Sequence, residues 1–281
     1  MSASIMKLLS VVLLLLPLSL CLAEVVEDFI VSCPQFFPTL NGEISPPTGF
    51  IGSQYKRICQ TLNNTAEFAT LYDTTNRIPV YSAYRFTGLM NCTRRTGDWF
   101  IEPQLNTYTE SNMATESAAR KQPQIDNQAK NADYVGSDYD KGHLAPVLHA
   151  NSQGCSDATF TLTNAAPQDP SFNRGQWRVT EREMAVFLNN SCITKDLRAY
   201  VVTGVVPGNN VLKETDNSVR IPSHFWTAFC CLDQNNTHQS SGGYIGENIN
   251  NDVNGPLTRQ NLEDELNILY GINVTLFGGG C

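Results

Sequence analysis

Histidine is scarce in this chain: among 281 residues there are four, His143, His149, His224 and His238. No CxxC pair occurs and no histidine stands at zinc-finger spacing from a cysteine, which excludes a structural zinc site of the usual kinds. After the first two dozen residues no apolar run approaches the roughly 20 residues needed to cross a bilayer, so no membrane partner is expected of the mature chain. Internal repeats and low-complexity tracts are absent, which excludes a solenoid. Basic residues are also in deficit, 19 against 27 acidic ones. Taken alone, that balance argues against a nucleic-acid partner, because phosphate binding wants a basic surface, although a local basic groove stays open.

The first residues, "MSASIMKLLSVVLLLLPLSLCLA", carry one charge, Lys7, then an apolar run, then small residues up to Ala23. That is the layout of a secretory signal peptide, and it predicts cleavage near Ala23 and an extracellular product. Without Lys7 the remainder has 18 basic and 27 acidic residues, a net charge of −9. Residues 24–281 contain no obvious linker and read as a single domain with ample length for a core. Eight cysteines remain, at 33, 59, 92, 155, 192, 230, 231 and 281. In an exported chain disulfides are their default state. Adjacent Cys230 and Cys231 should bond to different partners, since neighbours rarely bridge each other without strain. Cys281, the last residue, should tie down the tail. Five Asn-x-Ser/Thr acceptors, Asn63, Asn91, Asn189, Asn235 and Asn273, mark expected exposed positions and glycosylation sites.

Residues 68–86 read as two strands around a polar turn at 73–77. "TFTLTN" (159–164), "RAYVVTGVV" (198–206, closed by Pro207-Gly208) and "SHFWTAFCCL" (223–232) read as further strands. Residues 110–137 are polar and aperiodic, and are expected to form a long surface excursion. A helix over 171–189 is predicted from Phe172, Trp177, Met184, Phe187 and Leu188, with Gly175 weakening its first turn. A second helix, 256–271, has Pro256 to open it and Gly271 to end it. The combination implies an α+β fold with a mixed or antiparallel sheet.

Chemistry concentrates in "DYDKGHLAPVLHA" (138–150) and in the residues just downstream. His143 is expected at a strand, Asn164 at the end of the next, and Asn173, Trp177 and Glu181 at i, i+4 and i+8 on a helix. A histidine can take a proton from water. An asparagine oxygen can hold a hard cation such as Mg²⁺, and a glutamate can fix its waters. Lys141 adds positive charge. This set suits metal-assisted phosphodiester hydrolysis. Arg174, Arg178 and Arg182 share the same i, i+4, i+8 spacing and predict a basic ridge beside the metal, where a nucleic-acid backbone could lie; a solvated face paired with Glu181 and Glu183 is the competing reading. His149 reads as a partly exposed loop histidine. His224 and His238 have no partner pattern, and Trp177 and Phe172 read as core. Asp140 should order the turn or pair with Lys141 or a nearby arginine.

"DKGHLAP", "TLTNAAPQ" and "FNRGQWRVTE", in that order, resemble the DNA/RNA non-specific endonuclease family. The resemblance extends upstream through "FATLYDTTNRIPVYSAY" and "WFIEPQL". It implies a ββα-metal core on a mainly antiparallel sheet with flanking helices. It also implies a secreted endonuclease of low sequence specificity acting on DNA, with RNA as a second substrate, and using Mg²⁺ or Mn²⁺. By the same resemblance His143 is the general base, Asn173 the direct metal ligand, Glu181 the residue that positions metal-bound water, and Asn164 a supporting member of the catalytic set with Lys141. An upstream family arginine corresponds to Arg95, ahead of Trp99. Two positions depart from the pattern: Lys141 replaces an arginine, losing its planar fork, and Ala185 replaces another. Those departures define the alternative, a weakly active or inactive disulfide-bonded binding protein that keeps the fold.

Overall fold

The computed structural model describes residues 24–281 apart from 107–108, 120–124 and 216–217; the signal-peptide expectation lies outside the described residues. Ten strands and four helices position the site. They are β1 (Val25–Val26), β2 (Tyr55–Leu62), β3 (Thr65–Asp73), β4 (Ile78–Phe86), β5 (Asp140–His143), α1 (Gln153–Ala158), β6 (Ala165–Gln168), α2 (Pro170–Arg174), α3 (Gln176–Ser191), β7 (Arg198–Val211), β8 (Arg220–Leu232), β9 (His238–Glu247), β10 (Asn254–Leu257) and α4 (Arg259–Tyr270). Eight of the strands form one sheet in the order β1-β2-β3-β4-β7-β8-β9-β10, antiparallel at every pairing. The fold is α+β, as its alternation of patterns implied.

The long strands are buried on both sides because their side chains alternate between two cores. Tyr200, Val202 and Cys230 face a cluster with Phe29, Phe37, Leu262 and Leu266, under α4 and the N-terminal segment. Ala199, Val201 and Cys231 face a second cluster with Met184, Ala185 and Leu188 of α3. Period-2 alternation therefore sends the vicinal cysteines apart, Cys230 to Cys281 and Cys231 to Cys192. A third bridge joins Cys33 to Cys59. Cys92 and Cys155 are not joined to any of these bridges or to each other in this structure, so the expectation of eight bonded cysteines holds for six.

The hairpin at 68–86 forms as expected, its turn held by the Asp73 carboxylate, which accepts from the backbone of Thr75 and Asn76. Other boundaries move. "TFTLTN" is not a strand: Leu162–Asn164 is a 3₁₀ turn, and the strand is the next segment, β6. The hydroxyls of Thr161 and Thr163 and the Asn164 amide bond elsewhere in the core, fixing the turn. β7 runs through Pro207-Gly208 to Val211, with irregular pairing where the proline interrupts the ladder. Pro256 lies in edge strand β10, where a missing N–H is tolerated, and α4 instead starts at Thr258, whose hydroxyl caps Asn261 N–H. Gly271 ends α4 at φ +69°, in the left-handed conformation expected of it. The polar 110–137 stretch is more than surface: Met113, Gln128 and Ala129 are buried, and the Gln128 amide pairs with both backbone groups of Glu102.

Candidate active site

β5 and β6 pair antiparallel with Asp140 opposite Gln168 and His143 opposite Ala165. Gly142 is required there, because a Cβ at that position would come within 2.3 Å of the Gln168 side-chain oxygen. The chain after His143 is fixed by Asn164, whose Nδ2 donates to the carbonyls of Ala145 and Thr159 while its Oδ1 accepts from Ala145 N–H and the Ser82 hydroxyl. All four of those bonds are internal and Asn164 is fully buried, so its contribution is to aim the His143 strand.

His143 packs against Trp99 and Phe160, with ring centroids 4.7 and 4.9 Å away. Burial first, then the Arg94 guanidinium, lower its pKa to about 3. The imidazole is thus neutral across the physiological range. Its Nε2 is buried with no hydrogen-bond partner, a polar atom that another group could satisfy.

The predicted 171–189 helix is two helices. Gly175 breaks it with φ −102° and ψ −116°, and a Cβ there would meet Ser171 O at 2.3 Å. Asn173 therefore sits in the last turn of α2 and Glu181 in α3. Asp140 links β5 to α2: its carboxylate accepts Asn173 Nδ2 at 2.9 Å and Arg174 Nε and Nη2 at 2.9 and 2.6 Å. This is the nearby arginine anticipated for Asp140. A carboxylate only accepts, so it selects the amide nitrogen of Asn173 and leaves Oδ1 for the cleft. An oxygen so presented fits a hard cation such as Mg²⁺. Glu181 is half-buried. Burial raises its pKa to about 8, against the opposing pull of Trp177, Arg94 and Arg178.

These residues open into one cleft of about 1040 Å³. It is lined by five cations, Arg94, Lys141, Arg174, Arg178 and Arg182, and two acids, Asp140 and Glu181. An acidic chain has thus gathered a local positive surface, which answers the charge objection raised by composition. Lys141 is held by Asn131 Oδ1 at 2.7 Å, with its ammonium 5.3 Å from the Trp99 ring. Burial lowers its pKa, with Glu116 and Asp98 opposing. A second cavity of about 350 Å³ beside His224 is lined by Glu247, Asp252 and Glu265, a charge pattern that repels phosphate.

The arginine ridge is split by the break at Gly175, with Arg174 paired to Asp140. Among the described residues Arg178 and Arg182 make no ion pair, so the pairing with Glu181 and Glu183 that formed the competing reading is not seen. Arg95 lies outside the cleft lining, its guanidinium 4.0 Å from the Phe100 centroid; Arg94 takes the cleft position, 5.0 Å from the Phe160 centroid. Adjacent residues in irregular backbone look alike in sequence, so nothing there chose between them. His149 is buried rather than partly exposed. It bridges the Tyr84 hydroxyl (2.8 Å) and the Glu181 carbonyl (3.0 Å), tying α3 to β4. Ala185, on the core face of α3, is fully buried and takes no part in the cleft lining. Of the five sequon asparagines, four are exposed and Asn189 is half-buried.

The family model for DNA/RNA non-specific endonucleases matches residues 51–274. The chain belongs to that family. It is 32% identical over 248 residues to human endonuclease domain-containing 1 protein, covering 84% of this chain and 46% of that protein. To mouse endonuclease domain-containing 1 protein it is 34% identical over 194 residues, covering 66% and 37%. The matched region thus spans less than half of either relative. Human mitochondrial endonuclease G is 36% identical over 110 residues, 35% of each chain. In three dimensions the family fold is matched by a chain from a crystal structure of an EndoG/EndoGI complex, at TM-score 0.52 and 20% identity, covering 78% of this chain and 86% of that one.

Proposed function

We propose that the protein is a secreted endonuclease that hydrolyses phosphodiester bonds of DNA, and of RNA as a second substrate, with little sequence preference and with Mg²⁺ or Mn²⁺ as cofactor. The observation that carries this reading is the Asp140–Asn173 hydrogen bond, which turns an amide oxygen into the same cationic cleft that holds a neutral histidine. Asn173 Oδ1 would hold the cation, with Glu181 orienting its waters. When bound there, the metal would neutralise charge on the scissile phosphate and its leaving oxygen.

This chain's own groups supply the rest. The neutral His143 imidazole takes a proton from the attacking water. Trp99 and Phe160 shield one side of that ring from solvent, strengthening its interactions with an incoming anion. Lys141 and Arg94 hold phosphate oxygens near the scissile bond, and Arg178 and Arg182 hold flanking phosphates. Cations that hold phosphates carry no sequence information, which accords with low sequence preference. Family membership, the cleft and the three disulfides support the reading. Supercoiled plasmid incubated with the purified protein should be nicked with Mg²⁺ and left intact with EDTA. Binding without nicking in Mg²⁺ or Mn²⁺ would favour the inactive binding protein instead.

A further inference from the structure

We propose that Cys92 and Cys155 are oxidised partners, forming a fourth disulfide that clamps the Arg94 segment onto α1 at the rim of the cleft. Cys92 is partly exposed and lines the cleft, whereas Cys155 is buried on α1. The residues around them are already joined. Thr93 N–H donates to Gln153 Oε1 at 2.9 Å, Gln153 Nε2 donates back to Thr93 O at 2.9 Å, and Ser156 Oγ donates to the same carbonyl at 3.5 Å. Gln153 and Ser156 bracket Cys155 on one short helix, and Thr93 follows Cys92 directly. That places the two thiols on facing segments. Burial foremost, then the neighbouring Glu67 and Cys92, push the Cys155 thiol up to about 12. Cys92 is therefore the thiol that an oxidant meets first.

The oxidant is a low-molecular-weight disulfide of the exporting compartment. The Cys92 thiolate attacks one of its sulfurs and releases one small thiol, leaving a mixed disulfide on Cys92. Cys155 loses its proton and attacks Cys92 Sγ, releasing the second small thiol. Two protein thiols are oxidised by two electrons, one small disulfide is reduced to two thiols, and the two protons leave with them. Residues 87–98 have no regular secondary structure. The crosslink would therefore hold Arg94, two residues from Cys92, over Phe160 and beside His143.

Mass spectrometry tests the bond without reference to activity. Protein never exposed to reductant is denatured in an alkylating agent and digested. The proposal expects a peptide pair linked through Cys92 and Cys155, lighter than the two thiol peptides by two hydrogens. Alkylation of both residues would overturn it. The consequence for the cleft rests on the nuclease reading above and is measured separately. Cys92→Ser, which preserves the Asn91 sequon, and Cys155→Ala should each weaken plasmid binding by about threefold to tenfold, through lost positioning of Arg94. Neither change should add to Arg94→Ala in a double-mutant cycle. Full additivity would overturn the clamp while leaving the mass result to decide the bond. If Cys155→Ala fails to fold, Cys92→Ser alone carries the comparison.

Discussion

Two polar clusters lie on either side of the turn at 160–164, and they treat their charges in opposite ways. On one side Phe160 abuts His143, and the cleft opens with Asp140, Asn173 and Glu181 among five cations. On the other, Thr161 and Thr163 donate to Glu102, which lies beside Glu24; both carboxyls are completely buried. Among the described residues no cation is paired with either carboxyl. Burial raises the pKa of Glu102, and burial together with the adjacent Glu102 raises that of Glu24 well above the ordinary carboxyl range. The first cluster keeps polar atoms available for something that arrives, whereas the second buries two adjacent carboxyls in an environment that favours their neutral form. The difference separates a site that can bind and react from one that only holds the N-terminal strand, and buried charge alone does not make the distinction.

The largest expected way to break the contrast is at Asn173. Asn173→Ala should cut plasmid nicking by about a hundredfold or more, through loss of the metal's oxygen ligand, with the thermal midpoint little changed because the residue is half-buried beside the cleft. Asp140→Asn should come next. It turns one of the two acceptor oxygens into a donor, so the side chain no longer both selects the Asn173 rotamer and holds the bidentate Arg174 pair. A change of this kind outside a metal's own ligands typically costs about tenfold to a hundredfold in affinity or activity. Titrating Mg²⁺ against the variant's nicking rate would show the loss as a raised metal requirement.

Glu102→Gln should act on stability alone. A carboxyl raised by folding contributes stability that is complete below its unfolded pKa and lost as pH rises through its folded value. Denaturation of the wild type should therefore become easier from about pH 5 upward. The variant should lose part of that dependence and be the more stable of the two near pH 8, with nicking unchanged. Urea titrations at several pH values would show it. The smallest effect should be at Arg95, where alanine leaves nicking within about twofold, as surface changes outside a site usually do. Arg94→Ala should lower it clearly more.

How far sequence led to these residues depended on how their side chains are held. His143, Asn173 and Glu181 were singled out by ordered motifs and the cleft gathers all three, although the single helix expected to carry Asn173 and Glu181 is broken at Gly175. The break at Gly175 was only half legible: glycine weakens a helix, but the close approach of Ser171 O that requires it is a tertiary fact. The strand assigned to "TFTLTN" failed because threonines fit a pleated surface and also fit a turn whose hydroxyls bind a buried carboxyl. Sequence held no sign that Glu102, 59 residues before Thr161, would be there. His149 was misplaced for the same reason, since its partners Tyr84 and Glu181 lie far away in the chain.

The central claim is that the neutral His143 in this cleft accepts the proton of the attacking water. The most direct test is the single-turnover nicking rate of His143→Ala against wild type, with saturating Mg²⁺ and with circular dichroism confirming the fold. The account predicts a loss of about a thousandfold with plasmid binding retained. A folded variant that nicks at the wild-type rate would contradict it.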